Sequence, residues 1–326
     1  INELVVRYDE VHTKIEAFAF EEDKKCTEGI WFYNYNSQKE VSEPTFITGD
    51  HYHYLNWFKL DGIYANYRDR DKRWFYHWWI CDNDKNCLGQ DYGKLRRDGY
   101  SFRVMSIIYN RARKTFDSKY GIMSKSVKDS NEMFNKGVNA FVNYPSFFKP
   151  QVYTAEDPKD KIVFKTPQQR VTYKTRTARK EVSLNTEIES FAPNENAMDG
   201  SKRKIIGGDE VGKFPKEVSV EKWFNVAKRC CYLGSTIVGK ILFGSTVNEG
   251  EKGGLQFKRI WDNSDHTKKT ENGRTVSGLY KYFVDSADGM EGFIDEYGIS
   301  VIEDPTEPVK GIDGETIQEP DILKQG

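Results

Sequence analysis

The clearest periodicity along the chain lies between residues 68 and 116. RDRDKRWFYHWWICDNDKN masses apolar side chains at Trp74, Phe75, Trp78 and Trp79, the spacing of one helix face, and runs out in the breaker-rich DNDKN. NCLGQDYGKL follows as a short strand. SFRVMSIIYNRARKTF then places Phe102, Val104, Met105, Ile107, Ile108, Ala112 and Phe116 at intervals that predict a helix with one buried face. Downstream, KYGIMSKS reads as a strand and KDSNEMFNKGVNAFVNYPSFF as a helix opened by Asp129 or Ser130. DKIVFKTP, KEVSLNTEIESF and KIIGGDEVGK read as further strands, VSVEKWFNVAKRCCYLG as a helix, and GKILFGSTV as a strand tipped with small hydroxyl residues. Alternating strands and helices predict an α/β domain with a largely parallel sheet. Before residue 73 the pattern is less regular; TFITGDHYHYLNWFKLDGIY predicts a packed, irregular aromatic cap. After about Pro305 the chain is poor in apolar residues and reads as a linker or terminal extension.

The segment between the first strand and its helix is DYGKLRRDGYSF. Aligned on the phosphate-loop template G-x-x-x-x-G-K-[ST], Gly99 and Ser101 keep their places, Tyr100 stands where the lysine belongs, and Lys94 opens the window. A strand before the loop and a helix after it are the context that the template requires, because the helix N-terminus offers free N–H groups and the positive end of its dipole to an anion. From the front of the loop Lys94 can reach back to the β and γ phosphates of a nucleotide, Gly99 permits close backbone approach, and Ser101 offers a hydroxyl to Mg²⁺. Asp209 and Glu210 end a short apolar strand, as expected if one carboxylate serves Mg²⁺ and the other the attacking water. Gly207 and Gly208 stand where apolar residues usually precede such acids, which weakens that strand. In FGSTV, Phe243 to Val247, Ser245 and Thr246 end the next strand and can sense the γ-phosphate or the water. Loop, extra strands, acidic pair, helix and hydroxyl-tipped strand is the order of an ATPase with an additional catalytic strand and glutamate, and its catalytic groups gather at the carboxyl ends of the strands.

Composition narrows the reading. The chain has 326 residues, 37% hydrophobic and 14% aromatic, enough to bury a large core. The net charge of -1 excludes a uniformly basic nucleic-acid binder and leaves only local patches. One lies between Lys161 and Lys180, where Arg170, Lys174, Arg176, Arg179 and Lys180 occur without an acid; it reads as a solvated hairpin or as a surface that contacts phosphates. The five cysteines are too few and too scattered for a disulfide framework, and Cys81 and Cys87 lack the partners of a zinc site. No apolar run approaches the ~18 residues of a membrane span, and the first residues lack the zones of a signal peptide, so a soluble cytoplasmic protein is expected.

KLRRDGYS resembles the deviant phosphate loop of large terminase subunits, the DNA-packaging motors of tailed bacteriophages, some of which also carry the lysine at the front and G-Y-S at the end. The aromatic lead-in PTFITGDHYHYLNW with YRDRDKRWFYHW, the approach NAMDGSKRKIIGGDEVGK and the motif FGSTV resemble the same family, so that the likeness spans roughly residues 40 to 260. The resemblance implies a P-loop NTPase of the RecA/ASCE-like class, with a largely parallel central sheet flanked by helices and an irregular N-terminal cap. It divides the chain into a cap on the adenine side (1–73), an ATPase core (74–262) and a C-terminal extension (263–326). Lys94 becomes the phosphate lysine, Ser101 and Asp209 the Mg²⁺ ligands, Glu210 the catalytic glutamate, and Ser245 with Thr246 the element coupling hydrolysis to DNA movement. Arg96 or Arg97 stabilises transition-state charge in cis, while Arg97, Asp98, Gly99 and Tyr100 complete the nucleotide loop; Tyr100 needs no role beyond packing.

The implied activity is ATP hydrolysis that drives double-stranded DNA into a procapsid in the cytoplasm of an infected bacterium, by a ring of subunits working with a portal protein and a small terminase subunit. The chain beyond about residue 262 is too short for the ribonuclease-H-type nuclease usual in these proteins. Asp285, Asp288, Asp295 and Glu296 are read as a solvated face, and no nuclease activity is expected. Two other readings remain open: a helicase-like P-loop ATPase, and a catalytically silent DNA-binding or structural protein whose nucleotide loop has decayed.

Overall fold

A computed structural model describes residues 2–36, 39–152, 158–164, 184–246, 253–284 and 292–321. Two helices and a hairpin open the chain: α1 (Asn2–Glu28), β1 (Ile30–Asn36), β2 (Val41–Ile47) and α2 (Gly49–Asn56). The helix α3 (Asp69–Asn83) leads to β3 (Gly89–Lys94), α4 (Tyr100–Ala112), β4 (Lys119–Met123), α5 (Val127–Val142), β5 (Lys161–Phe164) and β6 (Thr186–Phe191). Then come β7 (Ile205–Asp209), α6 (Val220–Cys230), the small hairpin β8 (Tyr232–Leu233) and β9 (Thr236–Ile237), β10 (Lys240–Thr246), α7 (Gly254–Asp262) and β11 (Leu279–Phe283). A last hairpin pairs β12 (Val309–Lys310) with β13 (Thr316–Gln318).

Seven strands form one sheet in the order β11-β3-β10-β7-β4-β6-β5. All pairs are parallel except β5 with β6 at one edge. The period of two along each strand sends neighbouring residues to opposite faces. Tyr120, Ile122, Ile205 and Leu242 join one buried cluster with α2, α3, α4 and α5, whereas Met123, Ile206, Ile241 and Phe243 join the other with α6 and α7. The α/β sheet covered by helices on both faces is thus present. β11 lies beyond residue 262 and is nonetheless the edge strand next to β3.

The region before residue 73 is more regular than its composition implies. Ahead of the segment read as a cap, the aromatic residues of β1 alternate, Trp31 and Tyr33 exposed and Phe32 half-buried, whereas Tyr54 of α2 and Phe58 after it are buried. The helix α1 hides because so few of its described residues are buried; Glu22 and Cys26 are the ones that face inward. Helix α5 begins earlier than expected: Ser126 is its cap, accepting from the Asp129 backbone N–H, while the Ser130 hydroxyl accepts from Ser124 N. Asp295 is not solvated; it is buried and accepts from the backbone N–H groups of Tyr297 and Ile299, closing a turn, whereas Glu296 is exposed. Asp285 and Asp288, like the basic stretch Arg170 to Lys180 and Val247, lie outside the described residues. All five cysteines are buried and free, and among the described residues no helix is long and apolar enough to cross a membrane.

Two polar nodes, one half-buried and one centred on a buried acid, tie the outer elements together and to the sheet. The Lys240 ammonium, at the start of β10, donates to the carbonyls of Cys81 (2.8 Å), Asp84 (2.9 Å) and Cys87 (2.7 Å), meeting the negative end of α3. Asp50 of α2 accepts from Trp78 Nε1 (3.0 Å) on α3 and from Asn110 Nδ2 (2.7 Å) and Arg111 Nη2 (2.8 Å) on α4. Burial alone would raise the Asp50 carboxyl, but the Arg111 guanidinium and the Asn110 hydrogen bond outweigh it and hold the pKa below the ordinary 3.8. A depressed folded-state value contributes stability that is fully present above about pH 4 and is lost as pH falls through the lower folded value. Asp50→Asn is expected to lower stability at pH 7 by about 2 kcal/mol. Urea unfolding across pH 2 to 7 checks it: the variant's midpoint should fall less steeply below about pH 4 than the parent's.

Candidate nucleotide site

The site follows from strand register. In a parallel sheet, β10 sets Thr246 beside Lys94 of β3 and Gly244 beside Asp209 of β7, so three strand ends meet at the carboxyl edge of the sheet. There Lys94 Nζ lies 2.7 Å from Asp209 Oδ1 and 3.0 Å from Glu210 Oε1. Ser101, in the first turn of α4, donates to Asp209 Oδ2 at 2.6 Å. Thr246 Oγ1 donates to Glu210 Oε2 at 2.9 Å. Lys94, Ser101, Asp209, Glu210 and Thr246 therefore form one connected cluster.

The loop is shaped from within. Gly99, at φ 80°, makes the left-handed turn into α4 that a side chain would resist. Asp98 is buried; its Oδ1 accepts from Tyr100 N (3.0 Å) and its Oδ2 from Arg103 Nη2 (2.7 Å). Arg103, wholly buried, also donates to Asp71 of α3 and stacks over Trp74. Arg96 and Arg97 point outward into solvent, Arg97 with a positive φ of 59°.

Tyr100 is buried against the sheet rather than turned toward a nucleotide. Its hydroxyl donates to Gly208 O (3.3 Å), and Lys94 Nζ lies 5.2 Å above its ring. A Cβ on Gly244 would come within 2.6 Å of Tyr100 Cζ, so that bare backbone is what admits the ring. The glycines before the acids follow the same logic. A Cβ on Gly207 would meet Val104 of α4 at 2.7 Å, and one on Gly208 would meet Trp223 of α6 at 2.8 Å. They let helices on both faces close onto β7, which is paired along both sides.

Electrostatics balance the cluster. Burial would lower the Lys94 ammonium, but Asp209 and Glu210 outweigh it and hold its pKa above the ordinary lysine value. Burial likewise opposes the charged Glu210, yet Lys94 and Lys213 pull its carboxyl down to about 2. Lys213 Nζ lies 2.9 Å from Glu210 Oε2 and escaped the sequence reading; its place three positions after Glu210 in the 3-10 turn Val211–Lys213 was the available signal. Ser245 is buried and does not join the carboxylates: its hydroxyl accepts from Gly212 N (3.1 Å) and donates to Thr246 O (3.0 Å), fastening that turn to β10.

A hydroxyl and a carboxylate side by side are hard oxygen donors that suit Mg²⁺, which is commonly held by one or two carboxylates with waters and substrate phosphates. No cluster of three or more metal-ligating side chains occurs among the described residues, so the fit is to an ion arriving with phosphates rather than to a self-contained cage. The packing of Tyr100 carries its own test. Gly244→Ala is expected to cost roughly 1–3 kcal/mol by overpacking, read by urea unfolding, and Gly244→Ala with Tyr100→Leu should recover part of that loss.

No protein-family model and no curated protein matches the sequence. Among solved structures, the large terminase of bacteriophage HK97 superposes with a TM-score of 0.50 at 11% identity, over 74% of this chain and 44% of that one. The large terminase of a thermophilic bacteriophage gives 0.45 at 11% identity over 70% and 48% of the two chains, and other structures of that terminase are complexes with ADP and with ATP-gamma-S. The ATPase domain of the Thermus phage P74-26 large terminase gives 0.43 at 11% identity over 69% and 82%. The likeness to the HK97 protein, whose length this chain spans by less than half, is one of fold: the chain has the α/β fold of the matched part of a bacteriophage large terminase.

Proposed function

We propose that this chain is the ATP-hydrolysing motor domain of a viral terminase large subunit, which moves double-stranded DNA into a procapsid. The observation that carries the reading is the convergence of Lys94, Ser101, Asp209, Glu210 and Thr246 at the carboxyl ends of β3, β7 and β10. A lysine, a hydroxyl and two acids gathered at the end of a parallel sheet, beside a helix N-terminus, are the groups that a nucleoside triphosphate with Mg²⁺ requires.

In this reading Lys94 leaves the carboxylates for the β and γ phosphates, and its place at the front of the loop replaces the lysine that Tyr100 displaces. Ser101 and Asp209 would hold Mg²⁺, which when bound screens the charge of the phosphate oxygens. Glu210 orients the attacking water and takes up its proton. Thr246, bonded to Glu210, links the state of the site to β10 and to whatever β10 moves. Arg96 or Arg97, both turned into solvent here, would have to swing inward to meet developing charge at the γ-phosphate. Double-stranded DNA, a portal protein, a small terminase subunit and a ring of copies are the partners that this function requires.

Mg²⁺-dependent release of phosphate from ATP by the purified chain tests the reading, and its absence under saturating ATP would favour a silent structural role. Lys94→Ala is expected to cut turnover by about 100-fold or more, because charge stabilisation of this kind is worth about 3 kcal/mol. Glu210→Gln should still bind ATP, as measured by equilibrium dialysis, and lose turnover. Parental turnover in either variant would remove that residue from the mechanism.

A further inference from the structure

The two oxygens of the Glu210 carboxylate have different partners. Oε1 faces Lys94 Nζ at 3.0 Å, whereas Oε2 takes both Lys213 Nζ at 2.9 Å and Thr246 Oγ1 at 2.9 Å. The asymmetry matters because Lys94 is the partner that must leave when phosphates arrive. Its departure frees Oε1 and leaves Oε2 anchored.

We infer that Lys213 is a positioning residue, which with Thr246 locks one oxygen of Glu210 so that the other alone is presented to the attacking water. The inference rests on the proposed ATPase reading for the water, but not for the contact. The backbone supports it independently. Glu210 adopts a left-handed conformation (φ 52°, ψ 37°), sparsely populated for a residue with a side chain, and is held there by the turn that bears Lys213. Lys213 N donates back to Glu210 O at 2.9 Å, and Gly212 N donates to Ser245 Oγ at 3.1 Å, so the turn is fixed at both ends. With its backbone set, the carboxylate keeps a rotational freedom that a cation on Oε2 removes. Positioning a catalytic group within a fraction of an ångström is what separates a competent site from a merely assembled one.

The test uses the full chain, with Lys213→Met and Lys213→Arg made alone and Lys213→Met also combined with Glu210→Gln. Turnover, binding of a non-hydrolysable ATP analogue, and thermal melting without nucleotide are measured for each. Lys213→Met should lower kcat by roughly 10- to 100-fold, the range expected for a misplaced catalytic group, while the analogue's Kd stays within about twofold. Lys213→Arg, which keeps the charge, should restore most of the lost turnover. Lys213→Met should add nothing further in the Glu210→Gln background, and the two melting shifts should be non-additive. Parental kcat in Lys213→Met overturns the inference, as does a Kd that rises in step with the fall in kcat, which would make Lys213 a phosphate contact. A parent that does not hydrolyse ATP defeats the proposed function alone. The melting cycle then still decides the contact, and additive shifts would show that Lys213 does not hold Glu210.

Discussion

A tyrosine ring lying on bare backbone organises this site. Tyr100 occupies the space above Gly244 and reaches Gly208 O, so the first turn of α4 is seated directly on β10 and β7. Any side chain at Gly244 would push the ring outward, and Ser101, which follows it, would lose its place beside Asp209. The same ring lies beneath the Lys94 ammonium. Tyr100 thus seats α4 on the sheet and supplies a floor for Lys94.

The second constraint is charge. Asp209 is buried and Glu210 half-buried at the end of a central strand, where isolated carboxylates would be costly, and Lys94 and Lys213 supply the compensating charge. Because Lys94 balances both acids, any ligand that draws it away must bring positive charge of its own, as a nucleotide carrying Mg²⁺ would. Lys94 and the two acids are therefore coupled: displacing any one of the three leaves buried charge on the others uncompensated. Thr246 and Lys213 both bond Glu210 Oε2, which ties the acid to β10 and to the turn after β7.

The sheet, its flanking helices and the carboxyl-edge cluster were legible because they depend on local patterns. The loop, the acid pair and the hydroxyl tip are each short and contiguous, and parallel register then brings them together without further information. Part of what escaped the sequence depends on partners distant along the chain, and part on the local shape of a turn. Gly207 and Gly208 look like a flaw in a strand until Val104 and Trp223 are placed against them. Asp295 looks like a surface acid until its own turn buries it. The opening helix is hard to read for a different reason: few of its described residues are buried, so no broad apolar stripe marks it.

The N-terminal elements are more than a cover. Asp98 shapes the loop by holding Tyr100 N, and Asp98 is itself held by Arg103, which reaches Asp71 on α3. α3 is in turn joined to α2 and α4 through Asp50, and its C-terminus is gripped by Lys240 from β10. A rotation of α3 would therefore pull on Asp98 at one end and on the root of β10 at the other, the strand whose tip bears Thr246. The loop and β10 are thus linked by buried and half-buried polar contacts as well as by the sheet, and such contacts are costly to break.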